Sequence, residues 1–341
     1  MGTSAPDIQL AAIRMTDRSP AGRAGYLESL GWSPFFAGQV EADEARLARS
    51  RIDAVHRSRL SALTDAGQVE IVLPAHTDTS DYAVGDWILA DPATQVLHRR
   101  LNRKTLLQRR GEGKRPAQLI AANIDTLFIV ASCNADFNLA RLERYLALAN
   151  DAGTDPVVVL TKIDTVANAE DFERQAAALQ RGLPVVAINA RSAEATVALS
   201  RWCGAGSTVA LVGSSGVGKS TLVNTLVGAT WMPRQQTGAI RENDSKGRHV
   251  TTSRSLHPMS SEGWVIDTPG IRSLHLSDVA QGIDILFAEI TELAPGCKFR
   301  NCTHDHEPGC AVLAAVAAGT LDPERLARWR KLQTESRGTG R

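Results

Sequence analysis

The stretch Gly213-Ser214-Ser215-Gly216-Val217-Gly218-Lys219-Ser220-Thr221 follows the apolar run Thr208 to Val212 and leads into the helix-period segment Leu222 to Val227. A strand, a glycine-rich turn and a helix that opens on Lys-Ser/Thr make a P-loop. The glycines let consecutive backbone N–H groups curl around phosphate oxygens at a helix N-terminus, Lys219 is placed to reach the β- and γ-phosphates, and the Ser220 hydroxyl is placed to ligate Mg2+. An ordinary glycine-rich turn would leave the Lys219-Ser220 pair at the helix start without a purpose.

Downstream, the strand-like Trp264 to Ile266 ends in Asp267-Thr268-Pro269-Gly270. Asp267 can hold the water shell of the magnesium ion, and the Gly270 N–H can sense a γ-phosphate. Upstream, apolar runs alternate with helix-period segments: Thr126 to Ser132, Leu139 to Ala152, Pro156 to Leu160, Ala169 to Arg181 and Pro184 to Ile188. Continuous Val/Ile/Leu runs joined by amphipathic crossovers call for a parallel sheet covered on both faces, with ligands at the carboxyl ends of its strands.

Base choice is expected from Thr161-Lys162-Ile163-Asp164, directly after the run Pro156 to Leu160. The Asp164 carboxylate can accept from both the ring N–H and the exocyclic amine of guanine, whereas adenine offers neither at that edge. A site built on such a pair rejects analogues that lack the donors by up to about 10⁴- to 10⁵-fold, which favours GTP and argues against a P-loop ATPase. Asn189-Ala190-Arg191-Ser192, after the next strand, supplies a candidate backbone contact to the guanine oxygen. Both base-reading motifs precede Lys219 in the chain, the reverse of the usual GTPase order. Preserving the sheet geometry then requires circular permutation, with the ordinary ends joined ahead of Thr208 and a new exit just beyond Gly270.

Between Ala48 and Arg110 short segments such as Val69 to Leu73 and Asp86 to Ala90 alternate with turn signals, Asp65-Ala66-Gly67 and Asp91-Pro92 among them. This reads as a small all-β unit, an OB-like barrel or an SH3-like one. The first 45 residues show one short helix around Ala24 to Leu30 and no nameable chemistry. Net charge is only +1, yet His98 to Arg115 holds eight Lys/Arg against the single acid Glu112. Such an excess can track a phosphate backbone, and it is equally the mark of a solvated loop.

Near the end, Cys297-x4-Cys302-x-His304-x5-Cys310 offers three thiolates and an imidazole, a set that suits tetrahedral Zn2+ in a closed, structural site, with His306 as the alternative imidazole. The remaining Cys133 and Cys203 lie in or beside apolar segments and are expected to be buried. With 341 residues and 43% hydrophobic content the chain has material for several domains. No apolar run approaches the roughly 20 residues of a membrane helix, and no secretory signal is visible in the first thirty residues. A cytoplasmic protein with no membrane association is the expectation.

Together these motifs resemble the circularly permuted, small-subunit-dependent GTPases of bacterial ribosome biogenesis. Val84-Gly85-Asp86-Trp87, Ala121-Ala122-Asn123-Ile124-Asp125, Asp136-Phe137-Asn138-Leu139, Lys246-Gly247-Arg248-His249 with Thr251-Thr252, and the Cys297 to Cys310 cluster all look like that family's signatures. The resemblance implies GTP hydrolysis stimulated by the small ribosomal subunit, contacts to ribosomal RNA through barrel and tail, a role in late subunit maturation, one structural zinc and no DNA partner. The reading kept beside it is a nucleotide-gated RNA-binding protein whose hydrolysis is incidental.

Two departures from the pattern carry expectations. Val250 stands where a third threonine is usual, so the magnesium-reaching threonine is Thr251 or Thr252; Thr161 replaces the commoner Asn and should loosen the packing of its loop. Ile271 occupies the place of a water-orienting Gln, so the missing group must come from elsewhere, and His249 is either that group or a solvent-facing loop residue. The expected architecture is multidomain α/β and β: an N-terminal extension (1–45), an OB-like β-barrel (46–113), a permuted P-loop GTPase domain with helices on both faces of a parallel sheet (114–280), and a helical zinc-binding domain with a basic tail (281–341), acting as a monomer.

Overall fold

A computed structural model describes residues 20–109, 117–228, 254–267 and 279–338. The N-terminal helices α1 (Pro20–Ser29) and α2 (Pro34–Ala37) precede five short strands, β1 (Ala48–Val55), β2 (Leu60–Thr64), β3 (Gly67–Ile71), β4 (Trp87–Ala90) and β5 (Leu97–Arg100). β1 pairs antiparallel with both β2 and β4, β2 with β3, and β4 with β5. A parallel bridge between Val72 and Val96 then joins the end of β3 to the start of β5. The five strands thus close in the order 1-2-3-5-4 around Ile52, Leu60, Ile71, Ile88 and Leu97. Alternation is legible in β2, where Leu60, Ala62 and Thr64 are buried and the residues between them are not.

The next hairpin, β6 (Leu106–Arg109) with β7 (Gln118–Ala122), straddles the expected domain boundary at 113/114. Beyond it come β8 (Thr126–Ser132), α3 (Leu139–Asp151), β9 (Asp155–Thr161), α4 (Glu170–Ala177), β10 (Val185–Ala187), α5 (Glu194–Leu199), β11 (Thr208–Val212), α6 (Lys219–Val227), β12 (Ser255–Pro258) and β13 (Trp264–Asp267). The strands lie in the order β10-β9-β8-β11-β13-β12, all parallel except β12. Every residue of β8 and β11 is buried because both faces are covered. Leu127, Ile129 and Ala131 face the core shared with α3, while Phe128 and Val130 face that of α5 and α6. β12 also bridges to β1 through Ala54 and Ser255, so barrel and nucleotide domain share one continuous sheet.

The chain ends in α7 (Ala280–Leu286), α8 (Ala288–Leu293), α9 (Ala311–Ala317) and α10 (Pro323–Gly338). α7 lies so close to α3 that a Cβ at Gly282 would collide with the Ala147 carbonyl oxygen. α10 is fastened to α3 by charge: Arg325 donates to Glu143 (3.0 Å), to Glu289 (2.7 Å) and to the carbonyls of Leu179 and Leu286 (2.7 Å each), and Arg328 donates to Glu143 (2.9 Å). Arg144 makes a two-pronged pair with Glu335 at 3.0 and 2.7 Å.

Two features escaped the sequence reading. The expected N-terminal helix is present and starts four residues earlier, at Pro20, and the segment after it is part of the core: Trp32 and Phe36 pack on Trp87 of the barrel, with ring centroids at 4.9 and 5.7 Å. Buried Arg51 then joins the three parts, donating to the Leu30 carbonyl, to Asn123 O (3.2 Å) and to Thr208 Oγ1 (2.9 Å). Burial pulls its pKa down to about 10. The basic run from His98 is also not uniform. Arg99 grips Glu44 with two bonds of 2.6 Å and Arg103 grips Asp86 with two of 2.7 Å, so these two cations hold the barrel together; Arg110, Lys114 and Arg115 lie outside the described residues.

Candidate functional site

β11 ends in the P-loop and β9 in the turn expected to read the base, with β8 between them, so both loops emerge at the carboxyl edge of the same sheet. Gly213 has φ +145°, and a Cβ there would strike the Val130 carbonyl oxygen of β8. Gly218 (φ +98°) occupies the N-cap of α6, where a side chain in the left-handed region would be strained. Lys219 starts that helix, and its Nζ donates back to Gly213 O (2.8 Å) and Ser214 O (2.5 Å), placing the ammonium over the loop it serves. Ser215, Gly216 and Ser220 are exposed at the rim, Val217 is tucked into the core, and Thr221 is half-buried.

Thr161 decides how the two loops relate. It is fully buried, and its hydroxyl donates to Val217 O at 2.5 Å, with Ala131 O at 3.2 Å as a second acceptor. The shorter side chain spans to the P-loop backbone because β9 brings its Oγ1 within bonding distance. Lys162 follows in the left-handed region (φ 60°), which turns the chain into the 3-10 turn Ile163–Thr165 and leaves the Asp164 carboxylate exposed at the edge. The third loop is tied in as well, since Thr225 of α6 donates to Ala190 O at 2.7 Å, while Asn189 Oδ1 accepts from the Arg191 N–H at 3.0 Å.

Asp267 ends β13, the strand that runs parallel beside β11, so it lies at the same carboxyl edge of the sheet as the P-loop. In the ladder Ser255 of β12 is the partner of Asp267, and its Oγ is 2.7 Å from His257 Nε2. Gly270, His249, Thr251 and Thr252 lie outside the described residues.

The four cysteine and histidine ligands expected near the end come together. The ligand atoms of Cys297, Cys302, His304 and Cys310 all lie within 4.8 Å of one another. Cys297 Sγ is 3.8 Å from Cys310 Sγ and 3.5 Å from His304 Nδ1, which is 3.4 Å from Cys310 Sγ. A tetrahedron with metal–sulfur bonds of about 2.3 Å and metal–nitrogen bonds of about 2.0 Å has edges of about 3.8 and 3.5 Å, so the donor set fits zinc. Nδ1 is the imidazole atom in the cluster, held in place by Trp329 against the ring (5.4 Å) and by Arg330 donating to the His304 carbonyl. His306 is exposed and outside the cluster. Cys133 and Cys203 are buried, and burial pushes their thiols up to about 11 and about 12, which keeps them protonated. No helix among the described residues is long and apolar enough to cross a membrane.

The chain is 65% identical over 310 residues to the small ribosomal subunit biogenesis GTPase RsgA of Mesorhizobium japonicum, covering 91% of this chain and 90% of that protein. It is 45% identical over 316 residues to the small ribosomal subunit biogenesis GTPase RsgA 2 of Vibrio parahaemolyticus, covering 92% and 87%. Its fold matches the crystal structures of YjeQ from Thermotoga maritima (TM-score 0.61, 22% identity, 86% of this chain and 99% of that one) and of YloQ, a circularly permuted GTPase (TM-score 0.61, 22% identity, 88% and 99%). The model of the RsgA GTPase family matches residues 100–277, from the end of β5 past the Asp267 turn. With the phosphate and base loops locked together in permuted order and relatives this similar along nine-tenths of its length, the chain belongs to the RsgA GTPase family.

Proposed function

We propose that this chain binds GTP between Asp164 and Lys219 and hydrolyses it to GDP and phosphate in late maturation of the small ribosomal subunit, whose binding raises the turnover. The observation that carries the reading is the Thr161–Val217 bond, which makes one continuous cradle of a base-reading turn and a phosphate loop. Asp164 would read the guanine edge, with the Asn189-Ala190 backbone at its oxygen. The amides of 213–218 would cradle the phosphates, with Lys219 at the β- and γ-oxygens and Thr221 in the first turn of α6. Ser220 and Asp267 would hold the magnesium ion, which neutralises charge on those oxygens; Gly270 would sense the γ-phosphate, and Thr251 or Thr252 would complete the metal shell. His249 is the candidate for orienting the attacking water in place of the absent Gln.

The five-stranded barrel, read as OB-like, and the zinc-held tail would contact ribosomal RNA, with the protein acting as a cytoplasmic monomer. Because the Asp267 turn leads into the helices that carry the cysteine cluster, nucleotide state would reposition the tail and change its grip on RNA. GTP turnover measured with and without purified small subunits tests the reading, and a rate that subunits leave unchanged would favour nucleotide-gated RNA binding instead. In the same assay His249→Ala is expected to lose stimulated turnover while keeping GTP affinity; equal stimulated rates remove His249 from the mechanism. Equal RNA-subunit affinity with GDP and with a non-hydrolysable GTP analogue would refute the repositioning.

A further inference from the structure

Arg141 stands in the first turn of α3, after the loop that leaves β8 beside the P-loop strand. Its Nη1 donates to the Ser214 hydroxyl at 2.7 Å. Tyr145, one turn further along the same helix face, is buried, and burial pushes its phenol up while the Arg141 charge and the Ser214 hydroxyl pull it down. The neighbouring charged residues of α3 turn the other way: Glu143 meets Arg325 and Arg328, and Arg144 meets Glu335. Among the described residues no carboxylate pairs with Arg141, which is exposed at the phosphate rim.

Ser214 is therefore gripped twice by cations, at its carbonyl by Lys219 (2.5 Å) and at its hydroxyl by Arg141 (2.7 Å). Its neighbours Val217 and Gly218 sit against Thr161 on the base side. Ser214 thus marks the end of the loop away from the base, where Lys219 is poised for the β- and γ-phosphates. A neutral partner would satisfy a hydroxyl at this position. A partner that brings a full, unneutralised positive charge is what an incoming polyanion calls for.

We propose that Arg141 is a positioning residue for the hydrolytic step: acting through Ser214, it fixes the first turn of the P-loop and sets positive charge at the γ-phosphate end, where charge shifts as the terminal phosphoryl group leaves. This rests on the reading of the chain as a GTP hydrolase and accounts for part of what a chain with Ile271 in place of Gln must find elsewhere.

The test uses the full chain with Arg141→Ala and Arg141→Lys, reading GTP kcat and KM, affinity for a fluorescent GDP, and capture of aluminium fluoride by the GDP complex. Arg141→Ala is expected to lose about 100-fold in kcat, as misplacement of reacting groups by about 1 Å does, with GDP affinity within about threefold of the parent. It should also lose aluminium fluoride capture, and Arg141→Lys, which keeps charge without the fork, should recover part of both. A kcat within about twofold of the parent, or GDP affinity falling as far as kcat, would overturn the proposal in favour of a loop restraint only. A parent chain that binds GTP tightly but never turns it over would overturn the hydrolase reading and this proposal together, whereas the preceding outcomes leave the hydrolase reading standing.

Discussion

Replacing Thr161 by Val keeps the shape of the side chain and removes one hydroxyl from a fully buried position. The hydroxyl has a single proton, so the 2.5 Å contact to Val217 O is the principal bond and the 3.2 Å contact to Ala131 O the secondary one. Losing a neutral hydrogen bond costs about 1 kcal/mol, and leaving its buried acceptor without that donor raises the total to about 1–2 kcal/mol. That range corresponds to roughly 5- to 30-fold in an equilibrium constant. If the bond fixes a loop that GDP and GTP both use, as proposed, their affinities should fall by the same factor while kcat at saturation is little changed. Titration of a fluorescent GDP, with GTP as competitor, measures the affinities, and calorimetric unfolding measures the stability separately. Thr161→Asn, whose carboxamide N–H can donate to the same carbonyl, should stay within a few-fold of the parent. If Thr161→Val lowers the melting temperature but leaves both affinities within about twofold, the hydroxyl serves packing alone and the two loops are not coupled through it.

Asp164→Asn should abolish the preference for GTP over ATP, and xanthosine triphosphate, with a carbonyl where guanine has its amine, should bind the variant better than GTP; retained guanine selectivity would remove Asp164 from base reading. Metal analysis should find one zinc per chain, lost in Cys302→Ser together with protection of α9 from protease but with GDP affinity kept. Glu143→Ala takes one of two carboxylates from buried Arg325, leaving Glu289, and should cost about 1.5–3 kcal/mol of stability, with α10 the first segment to be cleaved in limited proteolysis. Burial holds the His257 pKa below its ordinary 6.5 despite the pull of Asp267 and Asp53. The unfolded chain then takes up that proton first, so this contribution is complete above about pH 6.5 and shrinks as pH falls toward the folded pKa. His257→Gln should flatten the acid-side slope of stability, and an unchanged slope would show that His257 is not its source.

What could be read from the chain alone were features whose chemistry is local. The P-loop announces itself because glycines, a lysine and a hydroxyl must be consecutive to wrap a phosphate, and β8 and β11 appear at their full lengths because strands covered on both faces are unbroken apolar runs. The cysteine cluster was legible because its four ligands fall within fourteen residues. The closure of the barrel through Val72 and Val96 was not, since one bridge between distant residues leaves no periodic trace. Element ends moved by a few residues wherever caps and turns compete, as at α4 and β10.

Order along the chain by itself determined that the base-reading turn precedes the phosphate loop, and residue types determined guanine and zinc as the chemistry to expect. Only the tertiary structure decided that Thr161 locks those two loops together, that Arg51 and the Trp32–Phe36 segment tie three parts of the molecule into one core, and that Arg141 reaches the P-loop. The reason is physical: a phosphate cradle is built from neighbours in sequence, whereas a buried arginine or hydroxyl finds its meaning in partners tens of residues away. An isolated Arg or Thr looks the same in the chain whether it ends in solvent or against a distant carbonyl.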